Sequence, residues 1–344
     1  GQADWLSERR PFNNRTGLAT TGILQADTVL QAAERAGNTV AAVEWVGART
    51  LVPALQGPVV DFRTFVSDRG VLVNHDMPGQ PAGANAFGVS YQRVDLDPAA
   101  GWSNVPASFS PAMQEQVKLT NTAFPASDNV DRVFDLYLYD STDDGQTNYD
   151  NVLAAPSTAG KDGAQAVATL AEGEWADVKV TLTGGRAGQT AGFYLKAVDL
   201  SPDLSRFRLY FTSIARANPS FNGCTYAPNC AGPLGFEETL NAQFPSSTAA
   251  DFAPLEAGIV DEDTYVEQGL MWKDAHWKYL EYIIETLGVK PDLLMVGTPV
   301  TDEFQHQFMG LITPKAIDGR PNPYFDDLTN DDIPDGRTAI REGY

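Results

Sequence analysis

Asp302 and His306 stand four positions apart, directly after the short apolar run Asp292 to Gly297. On one helical turn such a pair projects side by side, so a carboxylate oxygen and an imidazole nitrogen can converge on one divalent metal. The apolar run reads as a parallel strand, and α/β sheets bind ligands beyond the carboxyl ends of their strands. The same spacing also suits a surface pair or a cap. Histidine is scarce here, with only His75, His276 and His306, which gives weight to a histidine at a strand exit. His276 lies between Trp272 and Trp277 on a predicted helix and reads as packing or surface. His75, in AsnHisAspMetProGly, reads as a loop residue, with a place at a cleft rim as the functional alternative.

Two further clusters bear on chemistry. The segment Asp326 to Gly336 spaces Asp327, Asp331 and Asp335 four apart among turn formers, and oxygen-rich loops of this kind suit calcium. It departs from an EF-hand loop: no Glu stands at the twelfth position after Asp327, and Asp332 occupies the place of the turn glycine. A solvated acidic loop is the other reading. The only cysteines, Cys224 and Cys230, lie in GlyCysThrTyrAlaProAsnCys. A disulfide across this short loop implies an oxidising compartment, periplasmic or secreted, while two free buried thiols are the alternative.

The elements that must position these residues are legible in the hydrophobic pattern. Asp27 is expected to cap a helix over Thr28 to Ala36 that Gly37 closes, and Thr39 to Val46 reads as a buried strand. Thr264 with Glu267 forms a capping box, after which Val266, Leu270, Trp277, Leu280, Ile284 and Leu287 are expected on one apolar helical face ending at Gly288. Between these α/β ends the texture turns to β: Arg132 to Tyr139, Trp175 to Leu182, Gly192 to Val198 and Arg206 to Thr212 read as antiparallel strands separated by turn clusters. The stretch from Ala217 to Ala257 shows few periodic signals and is expected to be loop. The fold class expected is α/β with a large β-rich insertion, or cap. Residues 1–84 are assigned to the core, 85–215 to the insertion, 216–263 to a loop region and 264–344 to the returning core.

Composition bounds the function. A chain of 344 residues with 43% hydrophobic content buries a large core, and its 22 prolines and 30 glycines are scattered as turns. With 45 acidic against 24 basic residues the net charge is -21, which repels a phosphate backbone and excludes nucleic acid as an expected partner. A phosphate-ester substrate would need local cations, and bound metals supply them. A solvated acidic surface that serves solubility alone is the bland reading of the same charge. No apolar run approaches the ~18 residues of a membrane span, and no signal peptide opens the sequence, so an export signal is expected upstream of Gly1. Asn14-Arg15-Thr16 is a formal glycosylation acceptor.

The strand ProAspLeuLeuMetValGly followed by Asp302-x-x-x-His306 resembles the metal segment of the type I phosphodiesterase and nucleotide pyrophosphatase family, in the alkaline phosphatase superfamily. The early segment ending AlaGlyAsnThrValAlaAlaValGluTrpValGly is similar to the stretch that follows the nucleophile in that family. The resemblance covers roughly the first 70 and last 80 residues, and it implies an alkaline-phosphatase-like core. It further implies hydrolysis of small phosphate esters with two metals, usually zinc, and a threonine or serine nucleophile. Asp302 and His306 match two ligands of one metal. The nucleophile and the remaining ligands are expected before Gly1 and beyond Tyr344, in a longer parent or in companion fragments of the same enzyme. Two other classes stay open: a glycan- or protein-binding module built on the β-rich insertion, and a sulfatase- or phosphoglycerate mutase-like branch of the same superfamily.

Overall fold

The computed structural model describes residues 27–45, 48, 51, 53–77, 89–122, 129–222, 235–322 and 325. In chain order the elements are α1 (Val29–Arg35), β1 (Val40–Val43), β2 (Val59–Phe65), β3 (Arg69–Val73), β4 (Val89–Arg93), β5 (Asp97–Pro98), β6 (Met113–Leu119) and β7 (Arg132–Tyr139). They continue with β8 (Asn151–Pro156), β9 (Ala168–Leu170), β10 (Trp175–Thr181), β11 (Thr190–Leu200), β12 (Phe207–Phe211) and β13 (Ala215–Ser220). The chain then turns helical with α2 (Phe236–Gln243), α3 (Phe252–Glu256) and α4 (Glu262–Glu281), followed by a π turn at Tyr282–Thr286, β14 (Leu293–Val296) and α5 (Pro299–Ile312). The fold is mixed α/β, with a nine-stranded mixed sheet and a second, five-stranded antiparallel sheet.

Contacts divide the chain into two compact units. The first takes residues up to Thr64, Ala217–Pro245 and Lys273–Pro299. Here β1 pairs in parallel with β14, Val40 opposite Leu293 and Val43 opposite Val296, and in parallel with β2, Ala42 opposite Val59. All four residues of β1 are buried, as a parallel strand covered on both faces requires. Val40 and Ala42 join Leu30 of α1 on one side, while Ala41 and Val43 join Phe236, Leu240, Tyr279 and Ile283 on the other. Against the expected cap at Asp27, Thr28 caps α1. Its hydroxyl accepts from the Gln31 amide while the Gln31 side chain accepts from Thr28 N–H, a reciprocal box that Asp27, three residues before Leu30, cannot form.

The second unit takes Phe65–Arg216, Ser246–Trp272 and the residues from Val300 onward. Strands β10, β11, β12 and β3 pair antiparallel in succession, and β3 pairs β4 in parallel. The five-stranded sheet runs β5-β6-β7-β8-β9. A core of Leu72, Phe134, Leu136, Phe193, Leu195, Phe207 and Leu209 packs residues of both sheets together. The four stretches expected as antiparallel strands are strands of these two sheets.

Two helical expectations need correcting. Asp261, not Thr264, caps α4, since its Oδ1 accepts from Thr264 N–H at 2.9 Å. The face expected toward the core is split: Val266 and Leu280 are buried, but Leu270, Trp277 and Ile284 are exposed, while Tyr265, Trp272, Ala275, Tyr279 and Ile283, outside that face, are buried. A seven-residue spacing keeps residues in one stripe, but here that stripe faces water. The stretch assigned as loop carries the end of β13 and helices α2 and α3, the last capped by Asp251. These helices span only eight and five residues, too short for a 3.6-residue period to declare itself.

Candidate functional site

Helix α5 presents Asp302 and His306. Its inner face is set by Val300 and Phe308, both buried, which with Phe304 pack on Tyr265 and Trp272 of α4. Burial of each such side chain stabilises the pairing by about 2 kcal/mol. The helices approach closely because position 269 is glycine: a Cβ there would stand 2.6 Å from the Phe304 ring. Tyr265 also donates its hydroxyl to the Glu303 carbonyl at 3.1 Å. On the opposite face the His306 Nε2 lies 3.6 Å from Asp302 Oδ1, with the side chains 68% and 72% exposed. The two expected ligands are thus brought together, open to solvent and mounted on a packed helix. Among the described residues no group of three or more His, Cys, Asp or Glu gathers around a common point, so this pair supplies two donors of the four that zinc takes. Asp327, Asp331 and Asp335, and Cys224 with Cys230, lie outside the described residues.

The other two histidines are engaged. His75 Nε2 sits 3.8 Å from Asp199 Oδ2, which Arg208 Nε reaches at 2.8 Å and Arg206 at 3.5 Å. Burial foremost, then the Arg206 charge, lowers the pKa of His75, and Asp199 partly offsets this.

His276 belongs to a buried ionic trio in the first unit that the sequence did not declare. Glu44, just past the carboxyl end of β1, accepts from Arg63 of β2 at 3.2 Å through Oε1 and faces His276 Nε2 of α4 at 3.3 Å through Oε2. The side chains are 3%, 4% and 9% exposed, in that order. Burial, then the neighbouring Arg63 charge, lowers the His276 pKa to about 3. Glu44 lies against the imidazole and would favour its charged form. Its charge is already matched by Arg63, however, so a proton on His276 would leave an excess cation indoors, and the direction is downward. Glu44 adopts φ +50°, a left-handed conformation unusual for a residue with a side chain. Its backbone is fixed as tightly: Glu44 N–H donates to Val60 O at 2.7 Å, and a Cβ at Gly297 would meet Glu44 O at 2.2 Å, so only glycine lets the chain after β14 pass. The available sequence signal was a glutamate interrupting the apolar run ValAlaAlaValGluTrpVal, with an arginine in the strand that follows.

A second polar knot lies in the second unit. Lys196 on β11, 6% exposed, donates to Thr264 Oγ1 at 3.0 Å and pairs with Glu267, and its Nζ stands 5.3 Å from the centre of the Trp175 ring. Trp175 Nε1 donates to the same Glu267 carboxylate at 2.7 Å. The two residues that resembled a capping box therefore spend their side chains on a buried lysine, whose desolvation demands them more than the helix end does.

No protein-family model, no curated protein and no solved structure matches this chain. Among the described residues no helix is long and apolar enough to cross a membrane.

Proposed function

We propose that this chain is part of a metal-dependent hydrolase of phosphate esters, of the phosphodiesterase and nucleotide pyrophosphatase kind, with an alkaline-phosphatase-like core and a β-rich cap. The observation that carries the reading is the Asp302–His306 pair. A carboxylate and an imidazole separated by 3.6 Å project into solvent from the helix that follows a parallel strand in the chain. An oxygen and a nitrogen donor side by side suit zinc, with Asp302 binding as the anion and His306 through its ring nitrogen. The pair would hold one ion, whose positive charge would offset that of a phosphate ester approaching a protein of net charge -21. In this reading the rigid seat of α5 on α4 keeps the donors in place, while the nucleophile and the other ligands come from segments flanking the chain. In this reading a disulfide between Cys224 and Cys230 would suit the periplasm or the cell exterior.

The test is hydrolysis of a chromogenic phosphate diester and of the matching monoester by the protein expressed with its flanking segments and supplied with zinc. Activity that Asp302→Ala and His306→Ala each reduce at least a hundredfold supports the reading. Activity unaffected by either substitution, or a zinc-loaded protein inert toward both esters, overturns it.

A further inference from the structure

A cavity of about 360 Å³ opens in the second unit, lined by Asn74, Asp95, Leu96, Met113, Tyr149, Asp203 and Leu204. Its volume falls in the range of small-molecule sites. The floor is apolar: Tyr149 and Leu204 belong to the core between the two sheets, and Leu96 and Met113 are partly buried against that core. The rim is acidic, with Asp95 and Asp203 exposed and no lysine, arginine or histidine among the lining residues.

The walls are set before any ligand arrives. Asn74 donates to Leu204 O and accepts from Phe207 N–H, each at 2.7 Å, which fastens the turn before β12 to the end of β3. Tyr149 N–H donates to Pro202 O at 2.9 Å, and the Tyr149 hydroxyl donates to Pro111 O. Leu204 holds φ +54°, so its apolar side chain is kept in the floor by a left-handed turn residue.

The charges around the cavity are unequally matched. The Arg93 guanidinium stands 3.5 Å from Asp95 and equally 3.5 Å from Asp76, and Arg206 reaches Asp199 at 3.5 Å. Asp203 has no cationic partner among the described residues. Its Oδ1 accepts from Ser201 Oγ and Ser205 N–H, both at 3.0 Å, and these bonds, those of Ser205 foremost, lower its pKa to about 2. The carboxylate is therefore an anion at every physiological pH.

We propose that this cavity is a binding site for a small organic cation, an alkylammonium or quaternary ammonium ion. The positive head would sit at the rim against Asp203, with Asp95 adding to the field, and the alkyl body would lie on Leu96, Met113 and Leu204. A carboxylate or phosphate is repelled by the rim. A sugar lacks the flat exposed ring it stacks on, since Tyr149 is 7% exposed and its hydroxyl is spent on Pro111. The net charge of -21 raises the local concentration of any cation. The site shares no residue with the Asp302–His306 pair, so neither reading depends on the other.

Met113 makes the test direct, because it is one of only five methionines and lines the cavity. The ¹³C-methyl signal of Met113, assigned with Met113→Leu, is followed while n-butylammonium, choline, butyrate and 1-butanol are added separately. The expected result is a saturable shift with the two cations and none with butyrate or butanol. Asp203→Asn keeps an oxygen for the Ser201 and Ser205 bonds and is expected to weaken the cations about tenfold, the size of one lost charged contact. Asp95→Asn, at a fully exposed side chain, is expected to weaken them less. An equal response to butanol or butyrate, an unmoved Met113 signal, or cation binding unchanged in both variants overturns the proposal.

Discussion

Two acid–histidine pairs of almost equal spacing occupy opposite surroundings. Glu44 and His276 approach to 3.3 Å with less than a tenth of either side chain exposed, while Asp302 and His306 approach to 3.6 Å with about two thirds of each exposed. In the first, the low dielectric commits each group to its neighbours, and the carboxylate is shared between a guanidinium and an imidazole. In the second, water solvates both groups, so the pair contributes little to the fold and its donors stay available. Burial converts ionisable side chains into structure, and exposure on a rigid helix leaves them for a ligand.

The sharpest way to break this contrast is to remove the shared anion. Glu44→Ala is expected to destabilise the protein by about 3–5 kcal/mol, the cost of taking one partner from a buried ion pair, read from urea unfolding. Replacing Glu44, Arg63 and His276 together by Leu, Met and Phe should cost less than that single change. A loss below about 1 kcal/mol for Glu44→Ala would show that the trio does not bear the load assigned to it.

The pH dependence sharpens the same contrast. His276 titrates at about 3 when folded, whereas a free imidazole titrates near 6.5. The unfolded chain therefore takes up the proton first, and stability should fall as the pH drops below 6.5, by up to about 1.4 kcal/mol per unit, until the folded imidazole also charges. The informative range is pH 6.5 to 5, before most carboxylates titrate. His276→Leu should reduce the slope there, leaving the part that comes from the lowered pKa of His75. Lys196→Met is expected to cost about 2 kcal/mol, since Thr264 and Glu267 lose a donor while Glu267 stays half exposed. Smallest of all, Asp302→Ala should shift stability by no more than about 0.5 kcal/mol, as for an exposed pair, and a larger loss would mean that Asp302 serves the fold.

The regular elements were largely legible from the sequence. β7 runs from Arg132 to Tyr139 as its alternating pattern announced, and β14 follows the helix that Gly288 closes, here at φ +69°. What sequence reasoning missed is tertiary. Thr264 and Glu267 fit a local capping pattern, but Lys196, some 70 residues earlier in the chain, claims their side chains. Leu270, Trp277 and Ile284 satisfy a helical spacing, yet spacing cannot say which stripe faces the core. The Glu44–Arg63–His276 trio joins the residue after β1, a neighbouring strand and a helix, and nothing in the local pattern of any one of them records the other two. The Asp302–His306 pair was legible because both residues lie on one turn of one helix.

Asp302 and His306 are proposed to act together as metal donors. With only three histidines in the chain, imidazole resonances can be followed one by one, assigned with His75→Gln, His276→Gln and His306→Gln. Zinc is titrated into the chain while the ring ¹⁵N signals are recorded, in the unsubstituted protein and in Asp302→Ala. The expected result is a saturable shift at His306 whose affinity weakens at least tenfold in Asp302→Ala, with His276 unmoved. A His306 signal indifferent to zinc, or one that responds equally without Asp302, would contradict it.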